Sequence, residues 1–226
     1  MSDHTATLAE RYAVVRAGIP AHVQLVAVSK TRTVQEVQAL YDLGHRAFGE
    51  NYPQELRDKQ PLLPADIQWH FIGHLQRNKV KYIAPFVHLI HSVDGTELLD
   101  EIQKRATAAG RHIGVLVQVH IAQEETKHGL DVQEARALIT DWDAQRWSAL
   151  ALRGLMGMAS NTEDVDQVRE EFTGLAALFN DLKQSARSGH PEFDTLSMGM
   201  SGDADLAIAA GSTLVRIGTS IFGQRG

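Results

Sequence analysis

A lysine at position 30 closes an apolar run, Val23-Gln24-Leu25-Val26-Ala27-Val28-Ser29-Lys30, whose composition is that of a buried strand. An amine at such a strand end is partly desolvated. Desolvation disfavours the ammonium form and leaves a better nucleophile for an aldehyde. Position alone also fits the commoner case of a solvated lysine at a strand terminus. Two further segments carry chemistry, Leu196-Ser197-Met198-Gly199-Met200-Ser201-Gly202 and Arg216-Ile217-Gly218-Thr219-Ser220. Their small residues free backbone N–H groups, their hydroxyls add donors, and a helix start beyond them adds a favourable dipole. Together these make an anion cup, with phosphate as the natural occupant. Two tight glycine turns would look similar. Neither segment has the Gly-Lys-Ser/Thr spacing of a nucleotide P-loop.

These residues need elements to hold them. Helical stretches are predicted over Thr5–Ala17, Val34–Leu43, Leu98–Ala109, Val132–Thr140, Val165–Ser185 and Asp205–Ala210, with a short helix after Pro53. Strands are predicted at Val23–Val28, Arg46–Phe48, Gln68–Ile72, Phe86–His91, Ile113–Ile121, Leu150–Leu155, Thr195–Ser197 and Leu214–Ile217. Strand and helix alternate from end to end, so the sheet is parallel and the class is α/β. About eight units in 226 residues favour a (β/α)8 barrel with an extra N-terminal helix over an open doubly wound sheet. No linker or composition shift interrupts residues 1–226, which are expected to form one domain.

In such a barrel the active face lies at the carboxyl ends of the strands. The residues there are Lys30; Asn51 and Tyr52; His74; Ser92 and Asp94; Lys127 and His128; Met156; Ser197; and Arg216 with Gly218 and Thr219. The loops after strands seven and eight are where barrels often hold phosphate. His70 and His74 would share a metal only on a helix, and here they straddle a strand end. His88 and His91 read as core or rim histidines, so no metal site is expected. Arg77, Lys79 and Lys81 read as a solvated face, and Trp69, Trp142 and Trp147 as core.

Bulk properties narrow the class. A 43% hydrophobic content supports a large core, and a net charge of −6 argues against nucleic acid or anionic membrane as partner. No run reaches the ~20 apolar residues of a membrane span, and no signal sequence opens the chain. Absent cysteines fit the cytoplasm, the expected location.

Several segments together resemble one family. They are Leu25–Thr31, Phe48-Gly49-Glu50-Asn51-Tyr52, His70–Lys79, Lys127-His128-Gly129-Leu130, Arg153-Gly154-Leu155-Met156, Leu196–Ser201, and Val215–Thr219 with Phe222-Gly223. In this order they are similar to the YggS/PROSC family of pyridoxal 5′-phosphate (PLP) homeostasis proteins. The resemblance implies an alanine-racemase-like barrel that binds PLP, stores or delivers it, and has no established turnover. It implies that Lys30 holds PLP as a Schiff base, and that Ser197, Gly218 and Thr219 hold the phosphate. Arg216 would face the pyridine nitrogen, Asn51 the ring edge near the phenolic oxygen, and Met156 the ring or phosphate. A guanidinium does not readily give up its proton, so Arg216 would leave the ring nitrogen unprotonated and the ring a weak electron sink. Thr31-Arg32-Thr33-Val34 lacks a proline common in relatives, and Ser201-Gly202 replaces a more acidic pair.

The rival reading is an amino-acid racemase. Racemization needs a proton donor or acceptor on each face of the α-carbon. In barrel racemases a tyrosine from a partner's second domain supplies one, and this chain ends soon after its last strand. Tyr41, Tyr52 and Tyr82 are the stand-ins available. The expectation is therefore a PLP carrier without catalytic residues, monomeric, with PLP-dependent apo-enzymes as its partners. A metabolite-sensing module that keeps PLP as a structural ligand is a third reading.

Overall fold

The computed structural model describes residues 6–124 and 128–224. Eight parallel strands close into a barrel in chain order: β1 (Gln24–Val28), β2 (Ala47–Glu50), β3 (Gln68–Phe71), β4 (Leu89–Val93), β5 (Ile113–Gln118), β6 (Leu150–Met156), β7 (Thr195–Ser197) and β8 (Leu214–Ile217). Closure is firm on one side of β8, where Gln24 to Ala27 pair in register with Leu214 to Ile217. It is slight on the other, where Ser197↔Leu214 is the register pair. The expected barrel stands. Its strands are buried on both faces and read as near-continuous apolar runs for that reason.

Helices α1 (Leu8–Gly18), α2 (Val34–Asp42), α3 (Pro53–Lys59), α4 (Thr96–Ala108), α5 (Val132–Thr140), α6 (Val165–Gln184), α7 (Ala204–Ala209) and α8 (Thr219–Phe222) surround the barrel. Reciprocal capping boxes fix three starts, Thr7 with Glu10, Thr33 with Glu36, and Asp131 with Glu134. Each satisfies two donors that the first turn leaves unpaired. The box at Thr33 starts α2 without the missing proline. None of these helices is long and apolar enough to cross a membrane.

Two strand limits differ from expectation by about a turn's length, at the start of the fourth strand and the end of the fifth. The fourth strand begins at Leu89, because Phe86 and Val87 donate to Ile83 O and form a turn. An apolar turn that packs under the barrel looks like strand in sequence. The fifth ends at Gln118, and beyond it Val119 donates to Met156 O and forms an isolated bridge with Leu130.

The strands and helices share one large core, and the barrel's own interior holds a second apolar layer of Val26, Ala47, Leu89, Leu116, Met156 and Leu214. Trp69 and Trp147 are buried, and Trp142 packs on Trp147 at 4.7 Å. Gly154 marks a register shift between β5 and β6. Its φ is +148°, and a Cβ there would lie 1.8 Å from Thr195 O. Gly154→Ala is therefore expected to cost about 3 kcal/mol or more. Urea unfolding checks this, and a loss under about 1 kcal/mol would contradict the register described.

Candidate cofactor-binding site

A cavity of about 280 Å³ opens at the carboxyl ends of β1, β2 and β8. Lys30, Arg32, Asn51, Ile72, Met158, Ser201, Arg216, Gly218 and Thr219 are among its lining residues. Five sequence-derived candidates thus meet in one place: Lys30, Asn51, Arg216, Gly218 and Thr219.

Local structure accounts for each position. Ser29 N–H donates to Gly49 O, which extends the β1–β2 ladder up to Lys30. Asn51 follows β2, and its Oδ1 is buried without a hydrogen bond. The chain after β3 packs hard against it, since a Cβ on Gly73 would lie 2.4 Å from Asn51 O. Gly218 ends β8 and leads into α8, where a Cβ would meet Val28 O at 3.1 Å. Its N–H faces the Ser201 hydroxyl at a long 3.4 Å.

Arg216 is the electrostatic centre. It is 4% exposed, and burial lowers its pKa to about 10, so it stays cationic at neutral pH. Its Nη1 donates to Ser197 Oγ at 2.5 Å and Nη2 to Gly157 O at 3.1 Å. Among the described residues no carboxylate forms a salt bridge with it. A buried cation lining a cavity that also holds Lys30 and Arg32 favours an anionic ligand.

Two candidates lie elsewhere. Ser197 is fully buried beneath the cavity, and its Oγ meets Arg216 and His91 Nδ1 at 2.9 Å. Strand β7 runs to Ser197, so that side chain still points into the barrel. The chain turns at Gly199, φ +96°, before Ser201 reaches the cavity wall. Met156 is 1% exposed within the barrel's inner apolar layer, and Met158, two residues on, lines the cavity. In both cases the lining residue lies further along the chain, beyond the strand end. The Ser201 hydroxyl belongs to the anion-cup segment read from the sequence, whereas nothing in the sequence singles out Met158, two residues past the end of β6.

The barrel interior contains an unexpected polar chain. His91 Nε2 lies 2.9 Å from His70 Nδ1, so Arg216, Ser197, His91 and His70 form one run. Arg216 can only donate. Ser197 then donates to His91 Nδ1, and His91 Nε2–H to His70 Nδ1. Both imidazoles are held neutral by burial, His70 at about 3 and His91 well below the usual value. His74 does not join them. Its ring stacks on His128 at 4.0 Å and lies 3.6 Å from Asp94. His74 borders a wider cleft of about 700 Å³ that Arg77, Asp94 and Glu97 also line. Ser92 is buried with its Oγ unpaired, and Lys127 lies outside the described residues. Among the described residues no group of three acidic or histidine side chains is placed to hold a metal ion.

Residues 4–226 match the family described as alanine racemase, N-terminal domain. The chain is 41% identical over 214 residues to a pyridoxal phosphate homeostasis protein of Vibrio alginolyticus, covering 91% of this chain and 88% of that one. A protein of the same name from Escherichia coli K12 is 38% identical over 210 residues, covering 91% and 87%. Among solved structures, PipY of Synechococcus elongatus PCC7942 without PLP superposes with a TM-score of 0.88 at 34% identity, over 96% of this chain and all of that one. PipY with PLP bound gives 0.83 at 33% identity over the same shares. With this barrel and these relatives over nearly its whole length, the chain belongs to the alanine racemase N-terminal domain family and, within it, to the pyridoxal phosphate homeostasis proteins.

Proposed function

We propose that the cavity binds PLP and that the protein serves PLP homeostasis, holding and releasing the cofactor. The observation that carries this reading is the meeting of Lys30, the Gly218–Thr219 turn with Ser201, and buried Arg216 in one cavity. When bound, PLP supplies an aldehyde that an amine can capture and a ring that can withdraw electrons. The residues fit that group. Lys30 is the amine. Backbone N–H groups at Gly218 and Thr219, with the Ser201 hydroxyl, suit the phosphate. Arg216, whose guanidinium plane is fixed by Ser197 and Gly157 O, would donate toward the ring nitrogen. Asn51 lines the same cavity, and its amide N–H would donate to the phenolic oxygen.

Holding is favoured over turnover by what the tyrosines do. Tyr41 donates to Asp66 at 2.6 Å, and Tyr82 lies under Arg57, Lys79 and Lys81. Tyr52 is 53% exposed at the N-terminus of α3. An arginine at the ring nitrogen also leaves the ring a poor electron sink. The chain acts as a cytoplasmic monomer in this account, and PLP-dependent apo-enzymes receive its cargo. Equilibrium dialysis followed by an alanine racemization assay tests the reading. One retained PLP per chain is expected, with racemization no faster than with free PLP. Absent retention, or turnover well above that rate, would overturn it.

The two serines separate experimentally. Ser201→Ala is expected to weaken PLP binding roughly tenfold, as for a lost hydrogen bond to a charged group. Ser197→Ala is expected to cost about 1–3 kcal/mol of stability without ligand, because His91 Nδ1 loses its donor. Dialysis and urea unfolding on both variants check the pair, and interchanged effects would restore Ser197 to the phosphate.

A further inference from the structure

The backbone on both sides of Lys30 is gripped by one buried cluster of charges. Lys59, the last residue of α3, is 7% exposed. Its ammonium donates to Ser29 O at 2.8 Å, Glu50 Oε1 at 2.9 Å and Glu55 Oε1 at 2.6 Å, which uses all three of its protons. Ser29 Oγ donates to the same Glu50 oxygen at 2.6 Å. On the other side of Lys30, Thr31 N–H donates to Glu55 Oε1 at 2.6 Å. Residues 29 and 31 are therefore tied to a single ammonium, one directly and one through a carboxylate.

Thr31 has φ +62°, the one positive value among the described residues that are not glycine. A threonine persists there only where its surroundings over-determine it, and such strain gathers at functional positions. The strain turns the chain immediately after the residue whose amine must meet a ligand. The cluster is also a poor device for stability alone. Burial raises the Glu50 carboxyl above its usual range against the pull of Lys59, and its Oε2 has no hydrogen-bond partner. Apolar side chains of the same volume would serve the fold as well.

We propose that Lys59, acting through Glu50 and Glu55, is a positioning residue for Lys30: it locks the Ser29–Thr31 backbone so that the Lys30 amine is aimed into the cavity before the cofactor arrives. The inference rests on the PLP reading above. A preset amine captures an aldehyde faster because the orientation is fixed beforehand, and small misplacements of reacting groups are costly.

The clamp needs an acceptor at position 55 more than a charge, so Glu55→Gln and Glu55→Ala form the deciding pair. The measurements are hydrogen exchange at the Thr31 amide without ligand, the stopped-flow rate of PLP capture, and the thermal midpoint. Glu55→Ala is expected to lose Thr31 protection and to capture PLP about tenfold more slowly, with Glu55→Gln restoring most of both. The double variant Lys59→Met/Glu50→Gln removes the buried charges together and is expected to capture PLP slowly while folded. Should it fail to fold, the Glu55 pair decides. Capture at the wild-type rate in Glu55→Ala, whatever its melting point, would reduce the cluster to a support of the fold. A wild-type protein that captures no PLP would sink the earlier reading and this inference together.

Discussion

Lowering the pH from 7 to 4.5 is expected to cost the ligand-free protein up to about 5 kcal/mol of stability. His70 and His91 are the cause. Both are wholly buried, and burial holds the first at a pKa of about 3 and the second well below its usual value. In the unfolded chain both accept protons near pH 6.5. Between about 3 and 6.5 the unfolded state therefore binds more protons, and stability rises with pH. The contribution is complete above 6.5 and is lost as the pH falls, at roughly 1.4 kcal/mol per unit for each imidazole. Glu50 works in the opposite sense, because its raised carboxyl keeps a proton in the folded state that the unfolded chain has released. That offsets part of the loss. Urea unfolding across this range measures it, and His91→Asn should reduce the slope, since an amide can accept from Ser197 and donate to His70 without titrating. A stability independent of pH from 7 to 4.5 would contradict the neutral pair.

Arg216→Met should separate binding from folding. The guanidinium is buried with hydrogen bonds but no salt bridge among the described residues, so its desolvation is only partly repaid. Replacing such a cation by an apolar chain of similar length is often neutral or stabilising. The ligand-free variant is therefore expected within about 1 kcal/mol of wild type, the lost bond to Gly157 O setting the lower limit. PLP affinity, in contrast, should fall roughly 10- to 100-fold, the weight of hydrogen bonds made by a charged group. Dialysis and unfolding on the same sample check both. A variant that is strongly destabilised yet, while folded, binds PLP normally would make Arg216 a structural residue and move the ring nitrogen elsewhere.

The barrel was legible because strand and helix alternate along almost the whole chain, with only a 3-10 segment between β3 and β4, and each apolar run is short. Lys30, Asn51, Arg216, Gly218 and Thr219 were legible because closure brings the ends of β1, β2 and β8 together. Ser197 and Met156 lie a few residues short of the cavity wall, where Ser201 and Met158 stand. The sequence does not mark where a strand stops pointing inward and its loop begins to face the ligand. The turn at Gly199 decides that for Ser201. The His70–His91 contact was out of reach, since it joins the neighbouring strands β3 and β4 and depends on their register. The same holds for Lys59. Nine residues beyond Glu50, the end of β2, it reads as a solvated helix end. Only the packing of α3 against β2 makes it a buried donor to Ser29.

The central claim is that Lys30 is the amine that holds PLP. Borohydride reduction of the loaded protein, followed by proteolysis and mass analysis, tests it at the atom concerned. The account predicts a stable phosphopyridoxyl adduct on the peptide containing Lys30 and none in Lys30→Ala. An adduct on Lys59 or a surface lysine, with Lys30 unmodified, would contradict it.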